Sequence, residues 1–141
     1  MRVFFNASVI LAGLGSPMGG SGKLLRWSQQ KRFTGVISEI IFDEVNRQAD
    51  KLGMNLKQVI KKISQTIAFT APVPSGRLVN KYKQVVVDQG DAHVLASAQA
   101  TKSKFLVTLD KKHILSLKSK IKKLKIVSPG ELITILSRSE I

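Results

Sequence analysis

Hydrophobic positions along this chain follow two alternating rhythms from one end to the other. Val3, Phe4 and Phe5 form a short continuous apolar run, the pattern of a buried strand, and they lead into Ala7, Val9, Ile10 and Leu11, which begin a helical turn. Residues 13–22 interrupt this order with five glycines and Pro17, a composition that predicts a flexible loop, with Ser21 capping a helix over about residues 22–31. A short strand is expected near residues 33–37. Ser38 is a suitable N-cap for the next helix, with Glu39 in its first turn and Ile40, Ile41, Val45 and Ala49 on one face until Gly53 ends it.

Asn55 opens another amphipathic helix, marked by Leu56, Val59, Ile60 and Ile63, and residues 66–73 read as extended up to Pro74. A loop and a short helix reach Asp88, and residues 90–101 are helical by the spacing of Asp91, Val94, Leu95 and Ala98. Phe105 to Thr108 is the clearest buried strand, with Asp110 just past its end. A lysine-dense segment follows, then a last strand at residues 125–127. Ser128 as cap, Pro129 at the first helical position and Glu131 then start a terminal helix reaching Arg138.

Strands alternating with helices at this spacing predict a parallel sheet covered on both faces by right-handed crossovers, with residues 1–141 forming one domain. Ligands in such folds sit off the carboxyl ends of the strands. Asn6 follows the first strand and Asp110 the Phe105 strand, so both are expected at the same edge of the sheet.

Composition then narrows the function. Apolar residues make up 43% and charged residues 23%, which is ordinary globular usage, and no apolar run is long enough to span a membrane. The absence of cysteine excludes disulfides, thiolate zinc sites and a thiol nucleophile, and the lack of a signal-peptide pattern leads us to expect a cytoplasmic protein. Lys and Arg number 23 against 9 Asp and Glu, a formal charge of +14 that suits a polyanionic partner, with nucleic acid foremost.

Gly20-Ser21-Gly22-Lys23 before a helix invites comparison with a phosphate-binding loop, but the pattern fails. Pro17 stands where the first glycine is required and Leu24 where Ser or Thr would hold magnesium. We therefore read residues 15–22 as a turn, mobile and beside the site.

The acids carry more information. Glu44 lies within or beside the apolar stripe of its helix, so it either faces inward to meet a cation or donor, or sits at the stripe's edge and reaches solvent. Asp91 shares a face with Val94, Leu95 and Ala98, or else serves only the first turn of its helix. Glu44, Asp91 and Asp110 all fall at helix and strand ends that a parallel fold brings to one edge. Clustered carboxylates suit Mg²⁺ or Mn²⁺, ions that activate water and stabilise the leaving oxygen in phosphodiester hydrolysis.

Four segments in order carry a family resemblance across nearly the whole chain: Val3 to Leu11, Ile37 to Val45, Asp88 to Ala98, and Leu106-Val107-Thr108-Leu109-Asp110. They resemble the four acid-bearing motifs of the PIN-domain ribonucleases, including the toxins of prokaryotic toxin–antitoxin modules. The resemblance implies a three-layer α/β/α sandwich around a parallel sheet of about five strands and a Mg²⁺ or Mn²⁺ site that cuts RNA. It also implies a homodimer and an antitoxin whose segment blocks the cleft. Glu44, Asp91 and Asp110 match the family's acids, with Asp91 the direct metal ligand and Glu44 holding a ligand water or a second ion. Thr108 and Ser8 match supporting hydroxyl positions, although strand-end and helix-start hydroxyls arise equally from local turn chemistry.

The departure is at the first acid, where the family has Asp and this chain has Asn6. An amide oxygen ligates a hard cation but brings no charge, and a unit charge pair at about 4 Å is worth up to ~4 kcal/mol at an effective dielectric near 20, before desolvation. Metal affinity and cleavage are expected to be reduced, which leaves a non-catalytic RNA-binding or antitoxin-binding module as the alternative. Lys111, Lys112, Lys118, Lys120, Lys122 and Lys123 follow Asp110 closely and are expected to hold the RNA backbone beside the metal site. His93 and His113 lack a second histidine at ligand spacing, so neither is assigned to the metal, and the isolated aromatics Trp27, Phe33 and Tyr82 read as core.

Overall fold

A computed structural model describes residues 1–139. Five parallel strands form one sheet in the order β3-β2-β1-β4-β5, where β1 is Arg2–Phe5, β2 Thr34–Ser38, β3 Phe69–Ala71, β4 Phe105–Val107 and β5 Lys125–Val127. Register pairs Val3 with Gly35 on one side and with Phe105 on the other. The central strand is wholly buried from Val3 to Phe5, as its unbroken apolar run requires for a strand covered on both faces.

Seven α-helices cover the sheet: α1 Ala7–Gly15, α2 Gly20–Gln29, α3 Glu39–Lys51, α4 Leu56–Thr66, α5 Gly76–Lys83, α6 Ala92–Ala100 and α7 Pro129–Ser139. The connections from β1 to β3 step one way across the sheet, and those from β3 through β4 to β5 step back. Right-handed crossovers therefore place α1–α4 on one face and α5 with α6 on the other. Helix α7 returns to pack against α2, and the three-layer α/β/α sandwich is complete. The direction of the connections reverses between β1 and β4, which opens a crevice at the carboxyl ends of those two strands.

Helix starts are set locally. Ser38 accepts from the Ile41 N–H at 3.2 Å, and Asn55 from that of Gln58 at 3.1 Å. Ser128 and Glu131 cap α7 reciprocally: the Glu131 N–H donates to Ser128 Oγ at 3.2 Å and the Ser128 N–H to Glu131 Oε1 at 3.1 Å. Gly53, at φ +75°, lets Met54 N–H reach the Ala49 carbonyl and Gly53 N–H the Asp50 carbonyl, closing α3.

Two expectations are corrected. Residues 13–22 are not a flexible loop, because α1 runs on to Gly15 and α2 begins at Gly20 with Gly19, not Ser21, as its cap. The glycines there serve close packing: a Cβ at Gly22 would lie 2.1 Å from the Pro17 carbonyl oxygen. Gly13, Leu14, Pro17 and Gly22 around this tight turn line a separate cavity together with Met54 and Val59. The extended reading of residues 66–73 shrinks to β3, since α4 continues through Thr66. Trp27, Phe33 and Tyr82 are all buried, and among the described residues no helix is long and apolar enough to cross a membrane.

Candidate metal and phosphodiester site

The crevice at the β1/β4 switch is a cleft of about 390 Å³ lined by Asn6, Ser8, Glu44, Asp88, Asp91 and Asp110, together with Ile40, Arg47, Gly90, His93 and Val94. Each polar group arrives from a different element. Asn6 ends β1 and caps α1, Glu44 sits one turn into α3, Asp91 stands where a 3₁₀ turn becomes α6, and Asp110 follows β4.

Asn6 is 8% exposed and its side chain is fixed from both sides. The Ala7 N–H donates to its Oδ1 at 3.0 Å, while its Nδ2 donates to Thr108 Oγ1 at 2.8 Å. The opposite amide orientation would set Nδ2 against the Ala7 N–H, donor against donor. Thr108 is fully buried, and its Oγ1 also accepts from the Asp110 N–H at 3.1 Å. Ser8 Oγ accepts from the Leu109 N–H at 3.1 Å. The two hydroxyls thus tie the loop after β4 to the end of β1, on the floor of the cleft.

Asp91 has the most perturbed carboxyl group. It occupies the N-cap position of α6 yet makes no side-chain capping bond, and its Oδ2 is buried with no hydrogen-bond partner. Burial, followed by the negative charges of Asp110 and Asp88, pushes its pKa from the ordinary 3.8 up to about 6, with Glu44 adding to the rise and His113 opposing it. A carboxylate held this way is unfavourable unless a cation relieves it.

Asp110 is anchored by its own turn, in which the His113 N–H donates to Oδ1 at 2.9 Å and His113 Nδ1 lies 3.3 Å from Oδ2. Donor atoms of Asp91, Asp110 and His113 lie within 4.8 Å of one another. This mixed oxygen and nitrogen set, facing an orphaned carboxylate oxygen, fits a divalent cation.

The structure brings Asn6, Ser8, Glu44, Asp91 and Asp110 to one cleft, with Thr108 beneath it. Glu44 is half-buried and lines the same cleft, outside the tight group of three. His113 departs from the sequence expectation: its ring joins the acids because the chain turns back after Asp110, and the i,i+3 spacing to Asp110 is the signal that marks it. Arg47, three residues beyond Glu44 on α3, enters the same cleft and was not singled out from the sequence. His93 lines it too, with Nδ1 buried and unpartnered and its pKa pushed down by burial. Asp88 faces the cleft rim while also capping the 3₁₀ turn through the Gly90 N–H at 2.9 Å.

The lysines do not form one band. Lys111 and Lys112 are exposed in the turn directly after Asp110, but Lys118 is paired with Glu131 at 2.5 Å, and Lys120, Lys122 and Lys123 gather against α5.

Comparison with known proteins agrees with this architecture. The profile of the PIN domain family matches residues 2–112. A search of curated proteins finds no match. Among solved structures, the chain is similar to one in the crystal structure of VapBC2 from Rickettsia felis bound to a DNA fragment from their promoter. Identity there is 16% and the TM-score 0.65, with 91% of this chain and 98% of that one covered. It is similar also to a chain of a toxin–antitoxin complex from Klebsiella pneumoniae, at 20% identity and a TM-score of 0.62, over 90% of this chain and 97% of that one.

Proposed function

Since the chain belongs to the PIN domain family, we propose that it is a metal-dependent endoribonuclease that hydrolyses RNA phosphodiester bonds in the acidic cleft and acts in the cytoplasm as the toxin of a toxin–antitoxin pair. The observation that carries this reading is Asp91, whose buried, unpartnered Oδ2 and raised pKa sit beside Asp110 and His113. Asp91, Asp110 and His113 would hold the ion, and Asn6, which lines the same cleft, has an Oδ1 that accepts from Ala7 and retains a second lone pair. Mg²⁺ or Mn²⁺ bound there supplies positive charge that activates water and stabilises the leaving oxygen.

The chain's own groups do the positioning. Glu44, which lines the same cleft, orients the attacking water and takes up its proton. Arg47 offers a guanidinium to the phosphate that the acids alone would repel. Thr108 and Ser8 hold the Asp110 loop against β1, so the acids cannot spread apart as charge accumulates.

Asn6 favours a second reading. A neutral amide replaces a charge at the first acid position, and both of its polar atoms are engaged in hydrogen bonds. This suits a slow nuclease or a non-catalytic module that binds RNA or an antitoxin. An antitoxin and a homodimer belong to the toxin reading, which draws support from the complexes in which the similar folds occur.

The test is cleavage of a panel of single-stranded and structured RNAs in Mg²⁺ or Mn²⁺ and in chelator. Cleavage that needs metal and disappears in Asp91→Ala supports the nuclease. RNA binding without cleavage in any metal selects the module.

A further inference from the structure

Charge is strongly segregated in this protein, and the acidic cleft accounts for one end of it. At the other end, Lys81 at the end of α5 meets Lys120, Lys122 and Lys123 around a pocket of about 210 Å³ floored by Tyr82 and Ile121. No acidic residue lines it, and none of the four ammonium groups has an ion-pair partner among the described residues. Lys118, by contrast, has its carboxylate partner in Glu131.

The pocket is built, not a scatter of mobile side chains. Tyr82 is 6% exposed, its hydroxyl donates to Gln99 Oε1, and its ring carries the Lys81 ammonium 5.6 Å from the centroid. Ile121, between Lys120 and Lys122, and Leu124, directly after Lys123, are buried anchors that fix the backbone of the loop. Like charges gathered this way repel one another, and a polyanion relieves the repulsion while releasing counterions.

Its place in the fold is opposite the acids. Lys122 and Lys123 lie just before β5, whose first residue bonds through Lys125 N–H to the Lys104 carbonyl, at the amino ends of the strands. Asp91 begins α6 at the carboxyl ends, and Gln99, which holds Tyr82, is eight residues further along. At about 1.5 Å per helical residue the two sites are separated by roughly 12 Å along the α6 axis.

We propose that this lysine pocket is a second phosphate-binding site, which grips the backbone of the same RNA two or more nucleotides away from the bond held in the acidic cleft. The inference rests on RNA being the substrate and deepens that reading. Adjacent phosphates of an extended single strand lie about 6 Å apart, so the separation corresponds to about two nucleotides or more. The pocket therefore contributes most to binding of strands long enough to occupy both sites. Ammonium groups on flexible stems read phosphate charge and not bases, so the contribution is independent of sequence.

The experiment measures binding of a 20-nucleotide single-stranded RNA to the wild type, Lys81→Glu/Lys122→Glu and the milder Lys81→Gln/Lys122→Gln, in chelator at several salt concentrations and again with Mn²⁺. Mn²⁺ affinity and melting temperature of each variant serve as controls for the fold. The proposal expects the Glu pair to weaken 20-mer binding by about tenfold or more at low salt, and the Gln pair to lower the salt slope by about 1.4, near 0.7 per lost charge. Mn²⁺ affinity stays unchanged. Unaltered 20-mer binding in both pairs overturns the pocket while leaving the nuclease reading intact. The expected losses in a protein that cuts no RNA support the pocket and remove the nuclease reading. A wild type that binds no 20-mer in chelator overturns the pocket, and one that binds none with Mn²⁺ either overturns both.

Discussion

Replacing Asp91 by Asn removes the charge that the fold tolerates least, so in the absence of metal it should stabilise the protein. The folded-state pKa near 6 lies above the ordinary 3.8, so the folded form binds the proton more tightly than the unfolded chain does. The stabilisation that comes with that proton is complete below about pH 4 and is lost as pH rises through about 6. The rise from 3.8 to about 6 would be worth about 3 kcal/mol at full effect, and solvent screening of this partly exposed group reduces it to about 1 kcal/mol. No cap is lost in the exchange, because Asp91 makes no side-chain capping bond. For a chain of this size about 1 kcal/mol moves the melting temperature by roughly 3–4 °C. The assay is thermal unfolding of wild type and Asp91→Asn in chelator at pH 7.5 and pH 4, and again at pH 7.5 with saturating Mn²⁺. Asn should melt higher in chelator at pH 7.5 and level with wild type at pH 4. With Mn²⁺ the order should reverse, since ligand at about 100 times its Kd adds about 2.7 kcal/mol to the protein that binds it. A lower melting temperature for Asn in chelator at pH 7.5, or equal stabilisation of both proteins by Mn²⁺, refutes the reasoning.

Other perturbations separate the parts of the account. His113→Ala should weaken Mn²⁺ more than Mg²⁺, because an imidazole nitrogen suits the softer ion better; calorimetric titration with each metal reads the difference, and equal losses would take His113 out of the donor set. Gly22→Ala should destabilise by about 2 kcal/mol, since a methyl group there meets the Pro17 carbonyl at 2.1 Å; an unchanged urea midpoint would return residues 13–22 to a loose loop. Glu131→Ala removes the α7 capping box and the Lys118 partner, with an expected cost of about 1 kcal/mol. Lys118 and the Ser128 N–H hold the Glu131 pKa below its usual range, so this stabilisation is present near neutral pH and fades as pH falls below the ordinary carboxylate value. A wild-type advantage that does not shrink as pH falls through the acid range in the same denaturation assay would contradict it.

What the sequence made legible was local or periodic. Ser38, Asn55 and the Ser128-Pro129-Glu131 start declare helix ends through bonds made within three residues. Val3 to Phe5 and Phe105 to Val107 declare buried strands by their unbroken apolar character. Alternation of these elements was enough to predict a parallel three-layer fold and to bring Asn6, Glu44, Asp91 and Asp110 to one edge. What escaped depends on contacts made at a distance. Gly22 reads as flexibility in one dimension and proves to be the space that lets α2 lie against Pro17. His113 becomes relevant only because the turn after Asp110 folds its ring back onto the acid. The lysine run read as one patch because its buried members, Ile114, Leu117, Ile121 and Leu124, were not seen as anchors. They carry the chain from the acidic end of the sheet to the other, so Lys111 and Lys123 end at different sites.

The proposed function requires the cleft between β1 and β4 to bind a divalent ion with the neutral amide of Asn6 where a further carboxylate would add a charge. Calorimetric titration of Mn²⁺ into the wild type, Asn6→Asp and Asp91→Ala tests this most directly. The account predicts measurable binding by the wild type, at least about tenfold tighter binding by Asn6→Asp, equivalent to about 1.4 kcal/mol of the Coulomb gain left after desolvation, and none by Asp91→Ala. Equal affinity in all three proteins would contradict it, because the ion would then be bound somewhere other than between these residues.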